Sequence, residues 1–234
     1  MTNASNTTSQ ANGAAAGGES LYVRHTPSFS AKIFGYAPEG FKSFGEFNKQ
    51  ALAAGALSVK TKELIAVAVS HITGCPYCIE AHVGKSKAEQ TSFEEIFESV
   101  TVAAAVKAHS AFFNGANALK AYAGSQEADL YPLSNIELAE KLADANEALY
   151  NGFHEFVHIS LRGGRIAEKE KLLIAVGASL AEGNAYSIEI FTRKAKDAGI
   201  TIEELAETTL VATVLKAGSA MAHRVNALQA FERE

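Results

Sequence analysis

The chain has only two cysteines among its 234 residues, no apolar run long enough to span a membrane and no excess of basic charge. Each shortage narrows the reading. The longest apolar stretches are broken by Lys, Glu, Ser or Gly well before the roughly 20 residues that a bilayer crossing needs. With 21 Lys and Arg against 26 Asp and Glu, the net charge is −5 and the sequence pI near 5.8. Nothing there recommends nucleic acid or an anionic membrane as a partner. Residues 1–19 are mostly Ala, Gly, Ser, Thr, Asn and Gln, with neither the basic start nor the apolar middle of a secretory signal. A disordered tail over 1–20 and a cytoplasmic protein are therefore expected. No flavin, haem or nucleotide motif is present, so no cofactor is expected. Two cysteines in a reducing compartment are poor candidates for a structural staple. Spaced Cys-x-x-Cys, they suit redox chemistry or metal binding better.

What the chain does have is a repeat. Displaced by 109 residues, its two halves fall into register without a gap. Lys60-Thr-Lys-Glu-Leu-Ile-Ala-Val lies over Lys169-Glu-Lys-Leu-Leu-Ile-Ala-Val, and Gly74-Cys-Pro-Tyr-Cys-Ile-Glu over Gly183-Asn-Ala-Tyr-Ser-Ile-Glu. Of 60 pairs, about 25 are identical. Phe44, Glu46 and Phe47 similarly meet Phe153, Glu155 and Phe156. The expected units are a first repeat over 21–124 and a second over 125–234.

Each half reads as helices, since apolar residues recur at helical spacing and few stretches alternate. Phe41, Phe44, Phe47 and Leu52 form the stripe of a first helix ending near Gly55. Ser58 can cap a second that runs to Gly74, where glycine suits the left-handed C-terminal position. Pro76 fits the first turn of a third. Ser92-Phe-Glu-Glu95 is a capping box opening a long fourth, repeated as Thr201-Ile-Glu-Glu204. Residues 123–132 are the natural connector, and Ser134 is expected to start a helix that carries into the second half. The fold class is all-α, in two tandem copies.

The chemistry concentrates between Glu63 and His82. If the third helix starts at Pro76, Cys75 is its N-cap and Cys78 lies in its first turn. Unpaired N–H groups and the helix dipole there favour a thiolate over the free thiol's usual pKa of about 8.5. The two sulfurs can close a disulfide with little rearrangement. His82 follows Cys78 by four residues and shares its helical face. If the chain turns back at Gly74, Glu63 returns to the level of His82 and can orient the imidazole as a third triad member does. A thiol nucleophile, a second thiol, a base and an orienting acid make a complete thiol-redox site.

The same four residues, at successive spacings of twelve, three and four, resemble the signature of the alkylhydroperoxidase-D-like (carboxymuconolactone decarboxylase) superfamily. The resemblance is strongest over residues 36–120. It implies a helical fold, tight oligomers and thiol-dependent reduction of hydroperoxides. By the resemblance, Cys78 attacks the peroxide, Cys75 resolves it as a disulfide, and Glu63 with His82 forms the proton relay. An external thiol donor, often a dihydrolipoyl protein, resets the pair. Single-repeat relatives form trimers or hexamers, so a fused pair implies a homotrimer of pseudo-sixfold arrangement, or a dimer. The best-known members carry a histidine directly before the second cysteine, where this chain has Tyr77. That departure makes general disulfide reductase activity the companion reading.

In the second half Glu63, Cys75, Cys78 and His82 become Leu172, Asn184, Ser187 and Phe191, while Ile174, Gly183, Tyr186 and Glu189 match their counterparts. A degenerate, structural half is expected. Rival readings attach to the first half. His71, Cys75, Cys78 and His82 could form a zinc set, and the chain could be a non-catalytic redox or metal sensor whose disulfide changes its assembly. A decarboxylase or lactone-processing lyase is another alternative. Glu63 could be a surface acid paired with Lys60 or Lys62. His71 and His109, opposite Leu180 and Gly218, read as core or surface histidines. Tyr77 and Tyr186 read as packing residues, and Lys85, Lys87, Lys194 and Lys196 as a solvated face or an interface.

Overall fold

Local signals set most helix boundaries. The computed structural model describes residues 27–124, 129 and 131–232, so the expected tail and most of 125–130 lie outside the described residues. Helix α1 (Pro27–Phe34) leads into α2 (Pro38–Leu52), which carries the Phe41, Phe44 and Phe47 stripe. In α3 (Val59–Thr73), Ser58 Oγ accepts from the Thr61 N–H at 3.0 Å, and Gly74 closes the helix at φ 65°. A side chain at that positive φ would be strained, so the glycine sets the turn into α4 (Pro76–Ala88). Ser92 and Glu95 form the full capping box of α5 (Phe93–Tyr122).

Past the connector, the single helix expected from Ser134 is three: α6 (Ser134–Glu140), α7 (Leu142–Ala145) and α8 (Glu147–Leu161). Ser134 is the first residue of α6. Asn146, extended at φ −159°, interrupts the run, and its side chain accepts from the Leu149 N–H at 3.1 Å to start α8. Asn competes with helical backbone in this way. The second repeat continues as α9 (Glu168–Glu182), α10 (Ala185–Asp197) and α11 (Ile202–Ala222), and ends in α12 (Arg224–Glu232). Thr201 and Glu204 give α11 the capping box expected of it.

Among the described residues every regular element is a helix, and the two repeats share one core. Helices α3 and α9 pack on each other and on both α5 and α11, with α4 laid on α3 and α10 on α9. Helix α5 is long and apolar enough to cross a membrane by length and composition, yet half of its apolar window is buried inside the fold. Outer helices cross over: α2 of the first repeat packs on α11 of the second, and α8 of the second on α5 of the first. Thr61 Oγ1 donates to Glu170 Oε1 at 2.8 Å, a contact between counterpart positions, which places a pseudo-twofold axis there.

Two half-buried clamps obey the same symmetry. Glu207 accepts from the Ala56 and Leu57 N–H groups at 2.9 and 2.8 Å and meets Lys62 Nζ at 3.0 Å. Glu98 accepts from Arg165 and Ile166 at 2.8 and 2.9 Å and meets Lys171 Nζ at 3.1 Å. A Cβ at Gly55 would run into the Glu207 carboxylate, and one at Gly164 into that of Glu98. Each repeat therefore supplies the acid that satisfies the other's loop.

Candidate active site at the start of the fourth helix

Gly74 brings Cys75 to the head of α4, where its N–H donates to Ser70 O at 3.2 Å. The Cys78 N–H in turn points at Cys75 Sγ, 3.2 Å away. This is the N-cap geometry expected of Cys75, with sulfur in the role that oxygen has at Ser58. The two sulfurs lie within disulfide-bonding distance, on Cα atoms 5.3 Å apart. Both cysteines are buried.

His82 sits one turn beyond Cys78 and is buried, as is Glu63, only 3% exposed on α3. His82 Nδ1 and Glu63 Oε2 are 2.7 Å apart. A carboxylate can only accept, so Nδ1 carries the proton and Nε2 is left as the basic nitrogen. Burial removes competing water, so this pair holds its geometry better than a surface pair would.

The surface-acid reading of Glu63 fails on this geometry. Lys60 reaches Glu95 at 2.6 Å, and Lys62 reaches Ala53 O at 2.6 Å as well as Glu207. The four-ligand zinc set does not form either. His71 Nδ1 lies 2.8 Å from Val67 O on its own helix, and among the described residues no three His, Cys, Asp or Glu groups are arranged to hold an ion.

In the second repeat the backbone is copied and the chemistry is not. Asn184 caps α10 by accepting from the Ser187 N–H at 2.8 Å, as Cys75 caps α4. Its amide donates to Asn114 Oδ1 at 2.9 Å. Ser187 Oγ is 2.9 Å from His109 Nδ1, and the His109 ring packs 4.5 Å from Phe191 and 4.6 Å from Phe113. Burial, helped by the charges of Lys194 and His154, pushes His109 down to about 3. The core-histidine reading of His109 is right, but its role was missed. It comes from α5 of the first repeat and packs against Ser187 and Phe191, the counterparts of Cys78 and His82. The mismatch with Gly218 was the signal for it. At the intact site Gly218 stands there, and a Cβ on it would touch the Phe44 ring at 3.4 Å.

Helix α11 of the second repeat packs on α4, and its C-cap His223 meets Tyr77 edge-on, ring centres 5.5 Å apart. A separate cavity of about 960 Å³ opens beside α8 and α10, lined by His154, His158, Arg162, Leu172 and Lys194 among others. None of Glu63, Cys75, Cys78 and His82 lines it.

Comparison with known proteins agrees with the repeat. The sequence profile of the carboxymuconolactone decarboxylase family matches the chain twice, over residues 38–121 and 147–230. The chain belongs to the carboxymuconolactone decarboxylase family. A relative from Paracoccus denitrificans, described as "Uncharacterized protein 4 in cox locus", is 45% identical over 87 residues, covering 37% of this chain and 76% of that protein. Among solved structures, a putative gamma-carboxymuconolactone decarboxylase subunit from Burkholderia xenovorans LB400 superposes with a TM-score of 0.63 at 16% identity. It covers 89% of this chain and 91% of its own. At that identity the likeness speaks for the fold. Two family units in one chain, sharing one core, account for the pseudo-twofold arrangement.

Proposed function

We propose that the chain is a thiol-dependent oxidoreductase that reduces hydroperoxides or disulfides through Cys75 and Cys78. Cys78 attacks the peroxide oxygen, the alcohol leaves, and Cys78 becomes a sulfenic acid. Cys75 then attacks that sulfur, the disulfide forms and water leaves. An external dithiol, of the dihydrolipoyl class, returns both sulfurs to thiols and is itself oxidised. His82 is the base and Glu63 its orienting partner. What carries the reading is the buried 2.7 Å contact of Glu63 with His82, one helical turn from Cys78. A buried carboxyl–imidazole pair beside two sulfurs has little structural reason to be there, and the other repeat folds on Leu172 and Phe191 in their place.

A second reading is a decarboxylase or lactone-processing lyase, favoured by the family's name and the description of the solved neighbour. That chemistry has no use for two cysteines. The assembly we favour is a homotrimer of pseudo-sixfold arrangement, in the cytoplasm. The test is consumption of an organic hydroperoxide with a dihydrolipoyl donor. The wild type should turn over, and Cys75→Ser/Cys78→Ser should lose turnover by at least a hundredfold. A double variant as active as the wild type overturns the thiol reading, and lactone turnover by both would establish the lyase.

A further inference from the structure

In the sealed second site, the Asn184 amide reaches Asn114 Oδ1 at 2.9 Å. Asn184 is the counterpart of Cys75, and the 109-residue register makes His223 the counterpart of Asn114. The register is secure at that point, because Ser110, Ala111 and Asn117 match Ser219, Ala220 and Asn226. The symmetry therefore brings the His223 side chain towards Cys75, and its edge-on contact with Tyr77, two residues from Cys75, agrees. His223 Nδ1 lies 2.7 Å from Ser219 O. A carbonyl only accepts, so that contact puts the proton on Nδ1 and leaves Nε2 as an acceptor.

We propose that His223 is the proton acceptor for Cys75, lent by the second repeat to the thiol pair of the first. As Cys75 Sγ bonds to Cys78 Sγ, its thiol proton passes to His223 Nε2, while hydroxide leaves Cys78 and takes up a solvent proton by way of His82 to become water. When an external dithiol reduces the bond, Cys75 leaves as the thiolate and recovers its proton from His223. Each sulfur then has its own histidine, His82 from α4 and His223 from α11. Ionisable groups at that end of α11 include the Tyr77 phenol and Arg224, which begins α12, stacks over Phe41 at 5.2 Å and donates to Met221 O at 2.6 Å. The second repeat would thus be retained for a residue it delivers as well as for its packing.

This rests on the thiol-redox reading, but its test can be separated from it. In the full chain carrying Cys78→Ser, Cys75 is the only thiol. Its thiolate can be titrated by ultraviolet absorbance with no peroxide or donor present. His223→Asn, which installs the residue of the counterpart position, and His223→Gln should each move that titration upward by about one pH unit or more. In the otherwise wild-type chain, the same substitutions should slow disulfide closure at neutral pH by about tenfold or more while leaving Tm within a few degrees. A shifted titration without any peroxide chemistry keeps the His223–Cys75 pairing and removes the redox reading. Superimposable titrations in all three chains overturn the proposal, whatever the peroxide does.

Discussion

Ser187 Oγ and His109 Nδ1 lie 2.9 Å apart, and they are the counterparts of Cys78 in the first repeat and Gly218 in the second. One site thus ends in a hydrogen-bonded, aromatic-packed plug, and the other in two sulfurs with a glycine as the counterpart of the plugging histidine. The plug is built from both repeats, because α5 delivers His109 and α10 delivers Ser187. The same crossover that seals the second site shapes the first.

The plug makes the fold acid-sensitive. Folding lowers His109 from 6.5 to about 3. Below pH 6.5 the unfolded chain takes up a proton that the folded chain refuses, so this contribution to stability is lost as pH falls from about 6.5 towards 3. Between pH 7 and 4.5 it amounts to about 2 to 3 kcal/mol at one pH unit per 1.4 kcal/mol. Urea unfolding of wild type and His109→Gln at both pH values should show the variant losing that much less. Equal losses would mean that His109 is not what titrates.

Removing either member of the Glu63–His82 pair strands the other in the core. His82→Ala should lower stability by about 2 to 3 kcal/mol, while Glu63→Leu/His82→Phe, which installs the second repeat's residues, should recover most of it. Both should slow reaction of Cys78 with hydroperoxide about a hundredfold. A rate in His82→Ala equal to that of the wild type from pH 5 to 9 would refute the relay.

The clamps should behave as twins. Gly55→Ala and Gly164→Ala each drive a Cβ into a glutamate that holds two loop N–H groups. Each should cost about 1 to 3 kcal/mol in chemical denaturation, in one cooperative transition. Two separate transitions would contradict a shared core.

The second repeat's backbone is ready for a disulfide that its surroundings would not drive. Asn184 and Cys75 cap their helices with backbone angles within about ten degrees of each other in φ and ψ (−95°, 115° and −85°, 104°). On a Cys75→Ser/Cys78→Ser background, Asn184→Cys/Ser187→Cys should form a disulfide with an added oxidant, yet react at least tenfold more slowly with hydroperoxide than the native pair. Equal rates would remove Glu63 and His82 from the account.

Much of this was legible in the sequence where one turn of chain carries the signal. Ser58, Ser92 and Thr201 announce their helices because a cap is a contact over three residues. Glu63 and His82 were readable together because Gly74 and Pro76 fold two helices into a hairpin. The break at Asn146 was missed, since an asparagine that caps one helix looks the same as one lying within a longer run. The crossover of α2 onto α11 and α8 onto α5 leaves no local trace, as its contacts join residues far apart in the chain, Phe44 with Gly218 and Phe112 with Phe153. For that reason His109 could be read as buried but not as the plug of the other repeat's site.

The most direct test of the central claim is a thiol count with intact-mass analysis, before and after one equivalent of an organic hydroperoxide, on wild type and Cys78→Ser. The wild type alone should lose both thiols and about 2 Da, as a disulfide forms with release of water. Two thiols that remain after the peroxide is added, in a folded and fully reduced chain, would contradict it.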